Sequence, residues 1–528
     1  MEDDVLKETC ISTIEYIGSK NKTERKKIGQ FFTSEPAAEF MGGMINIRNE
    51  TVKIADPGAG TGILASAVLE HLLKSKRIKT IVLDLFENDE NILPILEQNT
   101  DSWKRIAENK GITLVTALIK ENFIKHNQLN WHNGFYQGEY DFIISNPPYK
   151  KISKTDIEAK IMDDVVYGQP NLYFMFMAMS CKLLKENGEM VFIVPRSWTS
   201  GLYFKAFRDY LLTNMRIERI HQFISRKRVF DNEDVLQETI IVKARKTQAE
   251  QNEIIISSSE SIDDFTKPSM LNVPYRLCIK EDSNRFVYLP VSEEEIEILS
   301  SMESLDDTLV SLGFRMKTGP TVDFRALDAI HDDPGESSLP LLWAQNISEG
   351  KIQFPVNGLA GQYITSKRKS LLIETDNYLI VKRFSAKEEK RRLQPAIMLS
   401  DFIPDYDMFS AENHLNYITN SHGGLNKDEV YGLFVIFNST LWDRYYRILN
   451  GSTQVNASEC NSFPMPDLRT VRRLGERLRN EGYHTTEICD AIIREELSDH
   501  RASGCSSFSD LWPCLSCLRG CGHFLGLH

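Results

Sequence analysis

Long apolar runs are absent from this chain of 528 residues. The richest stretch, "NLYFMFMAMSCKLL", ends in charge and falls short of the roughly 20 residues that a membrane-spanning helix needs. The first ten residues, "MEDDVLKETC", are acidic and lack an apolar core, so neither a secretory signal nor an organelle transit peptide is expected. Cysteine is scarce. Cys10, Cys181, Cys278, Cys460 and Cys489 lie far apart without metal-ligand spacing, as expected of reduced thiols in a cytoplasmic protein. The other four crowd the last 24 residues, where Cys514, Cys517, Cys521, His523 and His528 have the chemistry of zinc ligands. No second Cys-x-x-Cys pair exists to complete such a site, so 499–528 reads as an atypical tail after a natural end near Leu497, and no metal is expected. An excess of basic charge is also missing. The formal net charge of -12 argues against a wholesale polyanion-binding surface and leaves room for a local basic groove.

What is present is an ordinary soluble composition, 41% hydrophobic and 26% charged, in a chain long enough for two or three domains. From Thr51 to about Lys246, short β-rich runs alternate with helix-like stretches, the pattern of a parallel sheet covered on both faces. The strands expected are "TVKIAD", "TIVLDLF", "DFIIS", "EMVFIVP", "RIERIHQF" and "ETIIVKA"; the last two are close enough in sequence for an antiparallel hairpin. The polar stretch "RKTQAEQNEIIISSSES" breaks the pattern and predicts a domain boundary near 250. Residues 251–468, with short β-like runs and many turns, read as an α+β domain. "LRTVRRLGERLRN" and "TTEICDAIIREEL" read as closing helices within 469–498.

Two stretches carry chemistry. "IADPGAGTGILASAVL" puts Asp56 at the end of a strand and Gly58, Gly60 and Gly62 in the turn into a helix, where the backbone can approach a ligand closely. The second strand ends on Glu87, whose carboxylate is placed to accept both hydroxyls of a ribose; together the two stretches predict an adenosine-type cofactor. The other is "SNPPYK". Its prolines remove two N–H donors and stiffen the exit from "DFII". The side-chain oxygen of Asn146 and the carbonyl of Pro147 are then acceptors for an exocyclic amine, and Pro148 keeps the turn rigid. Tyr149 offers a face on which a base can stack.

"NPPY" directly behind "DFIIS" and "DPGAGTG" at the end of the first expected strand resemble the S-adenosylmethionine-dependent amino-methyltransferases that modify adenine in DNA. "KIGQFFTSEPAAEFM", upstream of the glycines, is similar to the segment preceding cofactor binding in the gamma-ordered members. The resemblance implies that Gln30, Phe32 and Thr33 belong to the cofactor site. Thr33 or Ser34 would cap the helix begun at Pro36 and turn N–H groups toward the methionine carboxylate. It makes Phe230, in "VFDNEDVLQETIIVKA", the partner of Tyr149 on the other face of a flipped base. It also sets Asn122, where the family usually has aspartate, against the cofactor's adenine amine.

The fold implied is an α/β, Rossmann-like methyltransferase domain (1–250) followed by a target-recognition domain (251–468) like that of the BsuBI/PstI-like methylases of restriction–modification systems. The implied function is site-specific adenine-N6 methylation, with Asn146 at both the substrate and the cofactor. The implied partners are double-stranded DNA and a restriction endonuclease acting on the same site, with a monomeric chain and no membrane. "NGSTQVNASE" (450–459) is a polar loop that can contact bases or phosphates or serve as a plain surface turn. The basic runs at Arg226–Arg228, Lys367–Lys369 and Lys390–Arg392 are candidate phosphate contacts. Two other readings stay open: a methyltransferase for RNA or protein glutamine using the same turn, and a DNA-specificity module without activity. A fused nuclease is not expected, since only 29 residues precede Gln30.

Overall fold

The computed structural model describes residues 4–19, 33–46, 49–223, 238–259, 268–385 and 389–498. Gln30, Phe32, Phe230, the run Arg226–Arg228 and the whole tail 499–528 lie outside the described residues. The chain forms two compact units that meet in sequence between Val291 and Ser292.

The first unit is built on strands β1 (Thr51–Pro57), β2 (Thr80–Phe86), β3 (Thr113–Ile119), β4 (Tyr140–Ser145), β5 (Leu184–Pro195), β6 (Arg216–Phe223), β7 (Thr239–Arg245), β8 (Glu253–Ser259) and β9 (Ser269–Pro274). They make one sheet in the order β3-β2-β1-β4-β5-β7-β6-β8-β9. Neighbours from β3 through β5 are parallel, while β7 runs antiparallel to both β5 and β6, so the expected hairpin is present. This is the expected Rossmann-like α/β arrangement. The chain winds outward from β1 to β3 in one direction and from β4 onward in the other. The crevice at the carboxyl ends of β1 and β4 is therefore the topological switch point, where open α/β sheets hold ligands. "DPGAGTG" and "NPPY" both leave the sheet there.

Helices α1 (Val5–Ser19), α2 (Glu35–Gly42), α3 (Ile63–Leu73), α4 (Leu93–Asn109), α5 (Leu172–Leu183) and α6 (Lys205–Asn214) belong to the same unit. Buried alanines on α3 let α2 pack close: a Cβ on Gly42 would stand 2.7 Å from the Ala67 backbone. Helix α1 braces the glycine turn from behind. Thr13 Oγ1 lies 2.6 Å from Thr61 Oγ1, and Trp103 Nε1 donates to Thr9 Oγ1 at 3.0 Å.

The domain boundary expected near 250 falls instead at 291. β8 and β9 extend the first sheet, with Ile254 and Ile256 in its core. The serines of β8 made it read as a linker, yet they are buried and bonded: His221 Nδ1 and Nε2 lie 3.0 and 3.1 Å from Ser257 Oγ and Ser259 Oγ. The edge strand β3 was also missed, because its half-exposed face dilutes the apolar signal.

The second unit is α+β, with a six-stranded and a five-stranded sheet among its described residues. Four of its helices are α7 (Lys427–Phe437), α8 (Thr440–Leu449), α9 (Leu468–Glu481) and α10 (Thr486–Ser498). The two expected closing helices exist as α9 and α10, but they belong to this unit's core. Gly432 and Gly475 let α7 and α9 touch backbone to backbone; a Cβ on either would stand 1.9 Å from a carbonyl oxygen of the other helix. Among the described residues no helix is long and apolar enough to cross a membrane.

Candidate active site

At the switch point a cavity of ≈ 620 Å³ opens between the glycine turn, the end of β2 and the proline turn, within the roughly 300–1,000 Å³ usual for small-molecule sites. Ser145 ties the two turns together, its hydroxyl donating to the Pro57 carbonyl at 2.6 Å. Sequence reasoning missed Ser145, although its place just before Asn146 was the signal. Gly58 meets Pro148: a Cβ there would stand 3.9 Å from Pro148 Cδ. Gly58, Gly60 and Gly62 all adopt positive φ (76°, 57° and 90°), and the N–H groups of Gly58 and Ala59 both donate to the Phe86 carbonyl at 2.9 Å. The turn is thus hinged onto the end of β2, which delivers Glu87.

Glu87 is 9% exposed and accepts three backbone hydrogen bonds, from Gly60 at Oε2 and from Asn88 and Asp89 at Oε1, at 2.8–2.9 Å. Burial raises its pKa above the ordinary carboxylate value, and the three N–H groups oppose that shift. The carboxylate is fixed in orientation against the cavity wall, as a ribose ligand should be.

Asp56 is 1% exposed. One oxygen accepts from Ala65 N at 3.2 Å, while Oδ1 has no partner among the described residues, and burial pushes the carboxyl up to about 8. A buried, half-satisfied acid in a ligand cavity calls for a donor or a cation from the ligand. The amino acid end of S-adenosyl-L-methionine has such an ammonium group, so the residues present fit the cofactor implied by sequence. The native pKa of Asp56 lies above the unfolded value, so the folded ligand-free chain holds an extra proton between about pH 4 and 8 and must lose stability as pH rises through that window. Asp56→Asn is expected to flatten that decline, as read by urea denaturation of the ligand-free protein at pH 5 and pH 8.

The other expected residues divide. Thr33, Asn122, Asn146 and Pro148 line the same cavity as Asp56, Gly58, Gly60 and Glu87. Thr33 and Ser34 do not cap α2 as expected: Ser34 occupies the cap position without a side-chain bond, and its buried hydroxyl has no partner among the described residues. Thr33 Oγ1 instead accepts from Asn146 Nδ2 at 3.2 Å. That bond orients the Asn146 amide. The Asn122 oxygen, expected to face an adenine amine, is used to cap the turn Phe123–His126, accepting from Ile124 N and Lys125 N at 3.1 Å. Its amide nitrogen donates to Glu158 at 3.2 Å, so Glu158, a cavity residue the sequence did not single out, is tied to that wall.

No described residue donates to the Pro147 carbonyl. Tyr149 is half-buried: its hydroxyl donates to the Ile193 carbonyl at 2.9 Å and its ring meets Tyr173 edge-on at 6.2 Å. The ring plane is therefore set by β5 and α5. Its expected stacking partner, Phe230, is outside the described residues.

Residues 63–230 match the family described as Eco57I restriction-modification methylase. Over 495 residues the chain is 32% identical to the type II methyltransferase M.BsuBI of Bacillus subtilis, covering 92% of this chain and 96% of that one. It is 30% identical over 500 residues to the type II methyltransferase M.PstI of Providencia stuartii, covering 94% and 96%. Among solved structures, the type IIG restriction endonuclease BpuSI is similar at 14% identity and a TM-score of 0.41, over 85% of this chain and 61% of that one.

Proposed function

The chain belongs to the type II methyltransferases that include M.BsuBI and M.PstI, with S-adenosyl-L-methionine as cofactor, and we propose that its reaction is methylation of adenine N6 in duplex DNA. The bound cofactor supplies an electrophilic methyl group on a sulfonium. Everything else falls to the chain. The adenine amine is a poor nucleophile because its lone pair is delocalised into the ring, and it must pyramidalise to attack. Two fixed acceptors aimed at its hydrogens favour that change.

The observation that carries this reading is the turn Asn146–Pro147 at the switch point: a carbonyl to which no described residue donates, beside an amide oriented by Thr33. A base stacked in a duplex cannot enter a crevice at the end of a sheet, so the target is flipped out, with Tyr149 and Phe230 on its two faces. Asp56 and Glu87 hold the two ends of the cofactor. The second unit selects the target, and the exposed run Lys367–Lys369 contacts phosphates. The enzyme acts as a cytoplasmic monomer, protecting sites that a companion restriction endonuclease cuts.

Incubating the protein with cofactor and mixed-sequence duplex, then digesting the DNA to nucleosides for mass spectrometry, tests the target atom. N6-methyldeoxyadenosine is expected. N4-methyldeoxycytidine, or methyl transfer only to RNA or protein, would overturn the reading.

A further inference from the structure

The polar loop 450–459 of the second unit rests on a buried network. Arg392, 1% exposed, donates from Nε to Ser385 Oγ at 3.0 Å and from Nη2 to the Ser452 carbonyl at 2.6 Å. Its backbone N–H and that of Leu393 donate to Asp443 Oδ1 at 2.8 and 2.7 Å. Glu459, also 1% exposed, accepts from the Tyr446 hydroxyl at 2.9 Å, from Asn450 Nδ2, and from Asn456 Nδ2 at 3.1 Å. Arg391 donates to the carbonyls of Phe437 and Ser439 at 3.2 and 3.0 Å. Arg391 and Arg392 are therefore supports, which corrects the sequence expectation of phosphate contacts for them. Burying this many charges is costly unless they are paired and hydrogen-bonded, and a network bonded in this way holds what lies above it in a fixed geometry.

What stands above them is polar and open. Ser452 and Thr453 are exposed at the tip. Ser385 N donates to the Thr453 carbonyl at 3.0 Å and Val455 N to the Arg383 carbonyl at 2.6 Å, joining the tip to residues 383–385. Arg383 then bridges two loops, with Nη1 on the Asn413 carbonyl at 3.0 Å and Nη2 on Gln454 Oε1 at 3.2 Å. Beside it Phe384, 40% exposed, meets His414 edge-on at 4.5 Å. His414 is held in turn by the buried carboxylate of Glu412, with Nδ1 at 2.8 Å from Oε2, so its ring is oriented while its side chain stays 44% exposed.

Resting on the DNA-methyltransferase reading, we propose that this surface reads the target sequence, with Gln454 and Arg383 on base edges and Phe384 and His414 flanking them. An amide beside a guanidinium is the donor–acceptor set that distinguishes purines in the major groove. Discrimination requires those groups to be held still, and that is what the network beneath them does.

The test measures fluorescence anisotropy of a labelled duplex carrying the methylated motif against one lacking it, using full-length protein with a non-reactive cofactor analogue. Gln454→Leu, Phe384→Ala and His414→Ala are each expected to weaken specific binding by about 10- to 100-fold. Melting temperature and cofactor affinity should hold. Phe135→Ala, at a 90% exposed position of the first unit, should change nothing. Gln454→Glu keeps the Arg383 partner and so guards against a folding artefact; it is expected to change which base is preferred. Variants that bind and discriminate like the wild type would overturn this assignment and leave the DNA-methyltransferase reading intact. A wild-type protein that binds cofactor but neither duplex would overturn that underlying reading as well.

Discussion

Asn146→Ala is expected to lower kcat for methyl transfer by about 10²–10³-fold, the usual loss when one preorganised electrostatic contact to the reacting group is removed. Cofactor affinity should change only a few-fold, because Asp56 and Glu87 approach the same cavity from other strands. Thr33→Val, which removes the acceptor for Asn146 Nδ2 while keeping the shape, should give a smaller fall in kcat. Thr33→Ser should restore most of it. Single-turnover rates with saturating labelled cofactor separate the two parameters. An Asn146→Ala enzyme that transfers methyl groups at the wild-type rate would remove the acceptor turn from the mechanism.

Gly62→Ala is expected to destabilise the first unit by about 2–5 kcal/mol, combining the cost of a left-handed backbone with that of overpacking. The φ of Gly62 is 90°, and an added Cβ would stand 2.4 Å from Trp103 Cη2 and 2.9 Å from Leu96 Cδ1. The indole cannot easily retreat, being 1% exposed and bonded through Nε1 to Thr9 on α1. Relief has to come from the glycine turn itself, so cofactor binding should weaken along with stability. Gly111→Ala is the control. Its φ of 71° carries the same backbone penalty, but nothing lies within 4 Å of its added Cβ, so only about 1–2 kcal/mol is expected. Equal losses for the two variants in urea unfolding would show that packing on Trp103 adds nothing.

How far the sequence could be read follows from what each stretch has to do. β1, β2, β4, β5, β6 and β7 were legible because central strands are apolar on both faces and end in turn residues. β8 was not, since its buried serines have a loop's composition; its backbone pairs with β6 and β9, and His221 meets the buried Ser257 and Ser259 hydroxyls. That one misreading moved the domain boundary by about forty residues. At the site, Asp56, Glu87, Asn146 and the glycines were visible because their chemistry depends on position after a strand. Thr33, expected as a cap of α2, does not cap it. Its bond is to Asn146, 113 positions away, and no local pattern encodes a contact of that range. Glu158 was missed for the same reason: its link to Asn122 spans 36 positions.

The most direct measurement is transfer of labelled methyl groups from S-adenosyl-L-methionine to mixed-sequence duplex DNA, with modified positions read by sequencing and Asn146→Ala run in parallel. One short motif, modified at a single adenine N6 and lost in the variant, is expected. Modification without sequence preference, transfer at an atom other than adenine N6, or equal activity in the variant would contradict it.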